Sequence, residues 1–243
     1  MKNDTRYPIL LLTLVCSCLW LGGGTGWAQD KPQTLRSLKE TVQRNPDNAR
    51  AYYQLGLKYA ELGRQKAARQ SFQQALILKP DFAEAYLRLG ELKADMGDRY
   101  AAISDFKKAL QLKKDFPEAR AGLSRAYDQQ GLELMEQERW PEAAEAFRQA
   151  VSSNPQADAP LNNLGVAYFN QNRWPEALAA FQDAVRVNPG NAEAHYNLGA
   201  LYRLMNDNVR THAQLEILSR LNRDLWAQLA GFVYTPRKLK VSE

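Results

Sequence analysis

Apolar and small side chains return along this chain at three- and four-residue steps, and the runs they form return every thirty-four residues. From Ala49 the pattern is Tyr52, Leu55, Gly56 and Tyr59, then Gly63, then Ala68, Phe72 and Ala75, closed by Pro80. The first four make one face of an α-helix and Ala68, Phe72 and Ala75 one face of a second. From Ala83 the same spacing holds Tyr86, Leu89, Gly90, Gly97, Ala102, Phe106 and Ala109, with Lys93 and Lys114 in the places of Tyr59 and Pro80. Small Gly56 and Ala68 are expected to let the paired helices approach, with Tyr59 and Phe72 filling the space around the contact. Such a hairpin cannot bury both of its faces alone, so it must stack on neighbours.

The pentapeptide RWPEA occurs at Arg139–Ala143 and again at Arg173–Ala177, at the start of the second helix of two later units. Pro141 and Pro175 suit a first helical turn, where the missing N–H has no intrahelical partner. Glu142 and Glu176 add negative charge at the positive helix start. Trp140 and Trp174 are expected to pack between adjacent hairpins. The third unit carries seven surplus residues, PEARAGL, almost two helical turns, so one long first helix is predicted from about Pro117 to Glu136. The fourth keeps Leu161, Leu164, Gly165, Tyr168, Ala177, Phe181 and Ala184. The fifth keeps His195, Leu198, Gly199 and Tyr202 but has Thr211, Leu215 and Leu218 in its second helix, and terminal units of an array are usually atypical in this way.

These units resemble tetratricopeptide repeats, whose signature is W-x2-L-G-x2-Y, then small and aromatic residues in a second helix, then proline. The resemblance covers nearly all of residues 34–233. It implies an all-α fold, a right-handed α-solenoid of about five helix-turn-helix units with a leading half-unit and a C-terminal capping helix. The divisions are a half-unit at 29–48, units at 49–82, 83–116, 117–157, 158–191 and 192–222, a capping helix at 223–234, and a disordered tail at 235–243. It also implies a concave wall of first helices that binds a protein or peptide. Carried over position by position, that wall contains Arg50, Tyr53, Leu57, Arg88, Gln129, Asn162, Asn163, Phe169, Tyr196 and Asn197. Asn163 and Asn197 stand in equivalent places, and an amide can donate and accept together, so repeated amides could pair with the backbone of an extended ligand. Asparagine before leucine-glycine is also common in this repeat. Members that bind acidic C-terminal tails use lysine positions that are here Tyr53 with Leu57, and Glu84 with Arg88, so that clamp is not reproduced.

The N-terminus has a separate pattern. Lys2 and Arg6 precede an apolar run from Ile9 to Leu21, and small Gly26 and Ala28 follow. This is the layout of a secretory signal peptide, residues 1–28, cleaved after Ala28. At thirteen residues the run is too short to span a bilayer comfortably. Both cysteines, Cys16 and Cys18, lie inside it, so a mature chain has no thiol or disulfide chemistry. VCSC ending at Cys18 faintly resembles a lipobox, which keeps a lipid-anchored, pilotin-like assembly factor as the alternative to a periplasmic or secreted protein.

The formal charge of +5 is modest and reads as mixed along the chain, a poor footprint for nucleic acid. The mature chain has two histidines, His195 and His212, and lacks the GxxxxGK[ST] and HExxH motifs. His195 replaces Tyr52 and Tyr86 and is expected to pack. Its carboxylates sit among Lys and Arg on helix surfaces. The expectation is a binding scaffold without catalysis, cofactor or small-molecule substrate, touching a membrane only through an uncleaved signal or a lipidated Cys18.

Overall fold

A computed structural model describes residues 34–234 of the chain; the segments read above as signal peptide and tail lie outside the described residues. Twelve helices follow one another there: α1 (Leu35–Arg44), α2 (Ala49–Glu61), α3 (Gln65–Leu78), α4 (Ala83–Asp95), α5 (Arg99–Leu112), α6 (Pro117–Glu136), α7 (Trp140–Ser153), α8 (Asp158–Asn170), α9 (Trp174–Val187), α10 (Ala192–Leu204), α11 (Asn208–Leu221) and α12 (Arg223–Tyr234). They pair as hairpins, α2 with α3 through α10 with α11, and each second helix packs on the first helix of the next unit. First helices α4, α6, α8 and α10 also touch one another in succession, whereas consecutive second helices do not come as close. The first helices therefore form the inner side of the stack.

Each of the first four hairpins is locked by one contact. The rings of Phe72, Phe106, Phe147 and Phe181 are buried and lie over Gly56, Gly90, Gly131 and Gly165. A Cβ at Gly56 would stand 2.6 Å from the Phe72 ring, and one at Gly90 2.9 Å from Phe106. No side chain fits there without moving the phenylalanine, so it is the ring of Phe72 that closes over Gly56. The surplus residues of the third unit are absorbed into α6, where Gly122 also faces the Phe106 ring of α5. α6 thus seals the second unit with its first half and pairs with α7 through its second.

The fifth unit lacks the phenylalanine. Leu229 of α12, fully buried, reaches over Gly199 in its place. The last helix is therefore an inserted part of the fifth unit's core, packed on both α10 and α11.

Trp174 departs from expectation: it is 38% exposed, and Trp140 is half-buried. Both are the first residue of their helix, a position at the rim of the hairpin where the chain has just left the turn. What RWPEA does instead is start the helix. Arg139 Nε donates to Glu142 Oε1 at 3.1 Å and Arg173 Nη2 to Glu176 Oε1 at 2.8 Å. Glu142 is held below the ordinary carboxylate range by its own backbone N–H and then Arg139. Glu176 is held low by Arg173 and then its backbone N–H.

Candidate protein-interaction surface

Clefts open on the inner side between successive first helices. One of about 320 Å³ lies between α8 and α10, with Phe181 as its floor, Val166, Phe169 and Asn170 on one wall, and Tyr196, Asn197, Ala200 and Leu201 on the other. The α8 side owes its character to a run from Ala159 to Asn172 without a single charged residue. Three of the residues expected on the wall, Phe169, Tyr196 and Asn197, meet here. Leu57 and Arg88 meet in a second cleft, between α2 and α4, where Arg88 Nη1 donates to Glu91 Oε2 at 2.8 Å. Gln129 lines a narrower one between α4 and α6. Arg50 is exposed at the start of α2. Tyr53 is engaged in packing, its ring centroid 5.8 Å from that of Phe72 and 4.9 Å from that of Phe82.

The asparagines do more than face a groove. Asn163 Nδ2 donates to Asp128 Oδ1 at 2.9 Å, and Asn197 Nδ2 donates to Asn162 Oδ1 at 2.9 Å. Each bond joins first helices of neighbouring units, across thirty-five residues of chain. Asn162 is buried at 5% exposure and serves as acceptor. The amides are therefore already spent, in part, on holding α6, α8 and α10 in register, and removing them tests the scaffold as well as any ligand. Their Oδ1 atoms, at Asn163 and Asn197, retain acceptor capacity toward a ligand N–H. Asp128 belongs to no motif, and the signal that identifies it is the offset of thirty-five instead of thirty-four. Burial raises its carboxyl above the ordinary aspartate value, partly opposed by the Asn163 amide.

The remaining polar groups read as structural. His195 is buried, with Nε2 3.0 Å from the Pro189 carbonyl and Nδ1 2.7 Å from the Gln214 side chain. In the second unit Lys93 reaches the buried Asp105 Oδ2 at 2.7 Å, the ion pair that satisfies that otherwise unpartnered oxygen. Burial pushes the Asp105 carboxyl up, opposed by Lys93. Among the described residues no group of three His, Cys, Asp or Glu could hold a metal ion, and no helix is long and apolar enough to cross a membrane.

Stacked helical hairpins with binding clefts on their inner side define a repeat scaffold of the α-solenoid class. The chain belongs to the tetratricopeptide repeat family: tetratricopeptide repeat profiles match residues 37–70, 83–116, 129–186 and 162–208, and a TPR repeat profile matches 56–97. Proteins of this family are in general non-catalytic scaffolds that bind protein or peptide partners. Among curated protein sequences none matches the chain significantly. Solved structures with a similar fold include YrrB, described as a TPR protein with an unusual peptide-binding site, with a TM-score of 0.56 and 20% identity over 80% of this chain and 98% of that one. MamA is similar at a TM-score of 0.53 and 20% identity, over 70% of this chain and 95% of its own. MamA from Desulfovibrio magneticus gives 0.52 and 19%, over 72% and 96%.

Proposed function

We propose that this chain is a non-catalytic protein-interaction scaffold that holds an extended segment of a partner protein in the cleft between α8 and α10, and that it works in a bacterial envelope. The observation that carries this reading is the composition of that cleft, an uncharged apolar trough floored by Phe181 and edged by the amides of Asn170 and Asn197. An apolar side chain of the partner would sit on the ring floor while the amides meet its backbone, the division of labour expected of a site for extended chain. The peptide-binding site named for YrrB supports the same use of the fold. The envelope location rests on Lys2 and Arg6, the apolar run from Ile9 to Leu21 and the small residues up to Ala28.

The test begins with capture from the native envelope on the immobilised chain and identification of the bound protein by mass spectrometry. Titration calorimetry then compares the parent with Ala200→Trp, which fills the cleft while leaving the residues of both amide pairs unchanged, and with Gln73→Ala on the outside of α3. The cleft-filled variant is expected to bind at least tenfold more weakly, about 1.4 kcal/mol, and the outer variant equally well. Equal affinity of all three would move the site out of the cleft. N-terminal sequencing of the native protein is expected to begin at Gln29, and a retained Met1 or an acylated Cys18 would overturn the location.

A further inference from the structure

The charge that reads as mixed over the whole chain is sorted along the array. Residues 34–82 hold nine Lys and Arg against four Asp and Glu, a net +5. Residues 83–234 hold seventeen against twenty, a net −3. The sorting is sharpest on the outer side of the array, which the second helices provide. In the last three units these helices balance their cations within themselves or against their own cap: Arg148 with Glu145, Arg173 with Glu176, Arg186 with Asp183, Arg210 with Asp207 and Arg220 with Glu216. In the first two units they do not, and the cations at the two ends of α5, Arg99 and Lys113, pair instead with Glu133 and Glu84 of first helices. α3 contains no carboxylate at all, and the single carboxylate of α5, Asp105, is buried against Lys93.

α3 and α5 therefore present no acidic group outward. The nearby Asp81, Asp98 and Asp115 lie in the turns, Asp98 capping α5 through Ala101 N and Asp115 paired with Arg120. Arg64 and Lys66 at the start of α3, and Lys114 just past α5, are exposed and have no carboxylate partner within the described residues. Lys107, also exposed, lies over the Tyr127 ring at 5.3 Å. Arg64 and Lys66 stand at a helix N-terminus, where the macrodipole disfavours cations, so helix stability does not account for them. Among these cations the largest apolar groups are left in solvent: Ile77 is 71% exposed and Tyr100 69%. On α3, Lys66, Gln70, Gln73 and Ile77 fall on one helical stripe.

We propose that this outer face of α3 and α5 is a docking surface for an anionic phospholipid bilayer. A bilayer requires neither a groove nor a register. It requires several cations near one plane, unopposed by carboxylates, with apolar and phenolic side chains that can enter the headgroup region. An acidic peptide would need a cleft to order its backbone, and the three clefts described above open on the opposite, inner side. The surface leaves the inner clefts free, so the inference stands apart from what the α8–α10 cleft binds.

The experiment is flotation of the full chain with vesicles of phosphatidylcholine alone or of phosphatidylcholine with phosphatidylglycerol. Each cation near such a surface contributes about a fivefold gain in partitioning. Lys66→Glu, Lys107→Glu and Lys114→Glu together are expected to weaken binding to the anionic vesicles by at least about a hundredfold. Arg148→Glu, Arg186→Glu and Arg220→Glu together, the same change in net charge on the paired part of the array, are expected to change it less than about threefold. Raising the salt to about 0.5 M should release the parent chain, and circular dichroism establishes that both triple variants keep their helices. Equal partitioning to the two vesicle types, or equal loss in the two variants, would overturn the proposal. Retention by immobilised polyglutamate without any vesicle binding would do the same and would reassign the face to an acidic protein.

Discussion

Glu138, thirty-four residues before Asn172, is the left-handed turn residue between the two helices of the third unit. The equivalent residues in the other four units are Gly63, Gly97, Asn172 and Asn206, and all five have positive φ, 57° for Glu138. Glycine meets no steric cost there and asparagine a reduced one, while glutamate has neither advantage. Glu138→Gly is expected to raise stability by about 0.5–1 kcal/mol, after allowance for the greater freedom of glycine in the unfolded chain, read as a shift of the urea midpoint to higher concentration. Asp128 carries a different cost. Its raised carboxyl means that the folded state binds more protons than the unfolded one between the ordinary aspartate value and the raised one. The contribution to stability is thus present at low pH and lost as pH rises through the folded value. Asp128→Asn keeps an acceptor for Asn163 and removes the half-buried charge. It is expected to be at least as stable as the parent at about pH 7 and to show a flatter dependence between about pH 4 and pH 7, measured by urea denaturation at both. Greater sensitivity to pH in the variant would contradict this account.

At the scale of elements, the hairpin depends on a phenylalanine closing over a glycine, and the array solves the missing fifth phenylalanine by borrowing from the next helix. Leu229 supplies that group from α12, which makes the last helix and the fifth unit one cooperative piece. Leu229→Ala opens a cavity over Gly199 and is expected to cost about 2–5 kcal/mol. Because coupling in such an array runs mainly between neighbours, the loss should appear as early hydrogen exchange of α10, α11 and α12 with protection of α2 to α5 retained. Uniform loss of protection along the chain would show that the array unfolds as a single unit. The second unit offers a matched exchange of its own: Lys93 stands where the first unit has Tyr59, and Asp105 where it has Ser71. The two changes compensate, since a buried carboxylate is tolerated when an ammonium meets it at 2.7 Å.

The whole molecule divides its surfaces by side. The inner side, built of first helices, carries the uncharged α8–α10 cleft, and the outer side, built of second helices, carries the unpaired cations of the first two units. Two partners of different chemistry could thus be held at once, a polypeptide inside and an anionic surface outside, without competing for residues. The amide bonds from Asn163 to Asp128 and from Asn197 to Asn162 lie along the inner side and fix the spacing of the last three first helices. They would help keep the α8–α10 cleft open in the absence of ligand, which lowers the ordering cost of binding.

The thirty-four-residue period, the two-helix unit, the long α6 and the family were legible in the amino-acid sequence, because each depends on spacing within a helix or between copies of one unit. Phe169, Tyr196 and Asn197 were placed on one wall through the resemblance to the family, carried over by position within the unit. What the tertiary structure alone decided concerns groups brought together by the rotation between successive units. The acceptors Asp128 and Asn162 fall thirty-five residues from their donors, a shift that no repeat alignment displays. Leu229 fills a gap in a unit it does not belong to by period, and Trp174 sits at a rim because it is the first residue of its helix, where the chain has just left the turn. The unpaired cations on the outside of α3 and α5 emerge from the same geometry, because packing decides which charges of a helix meet a carboxylate and which face solvent.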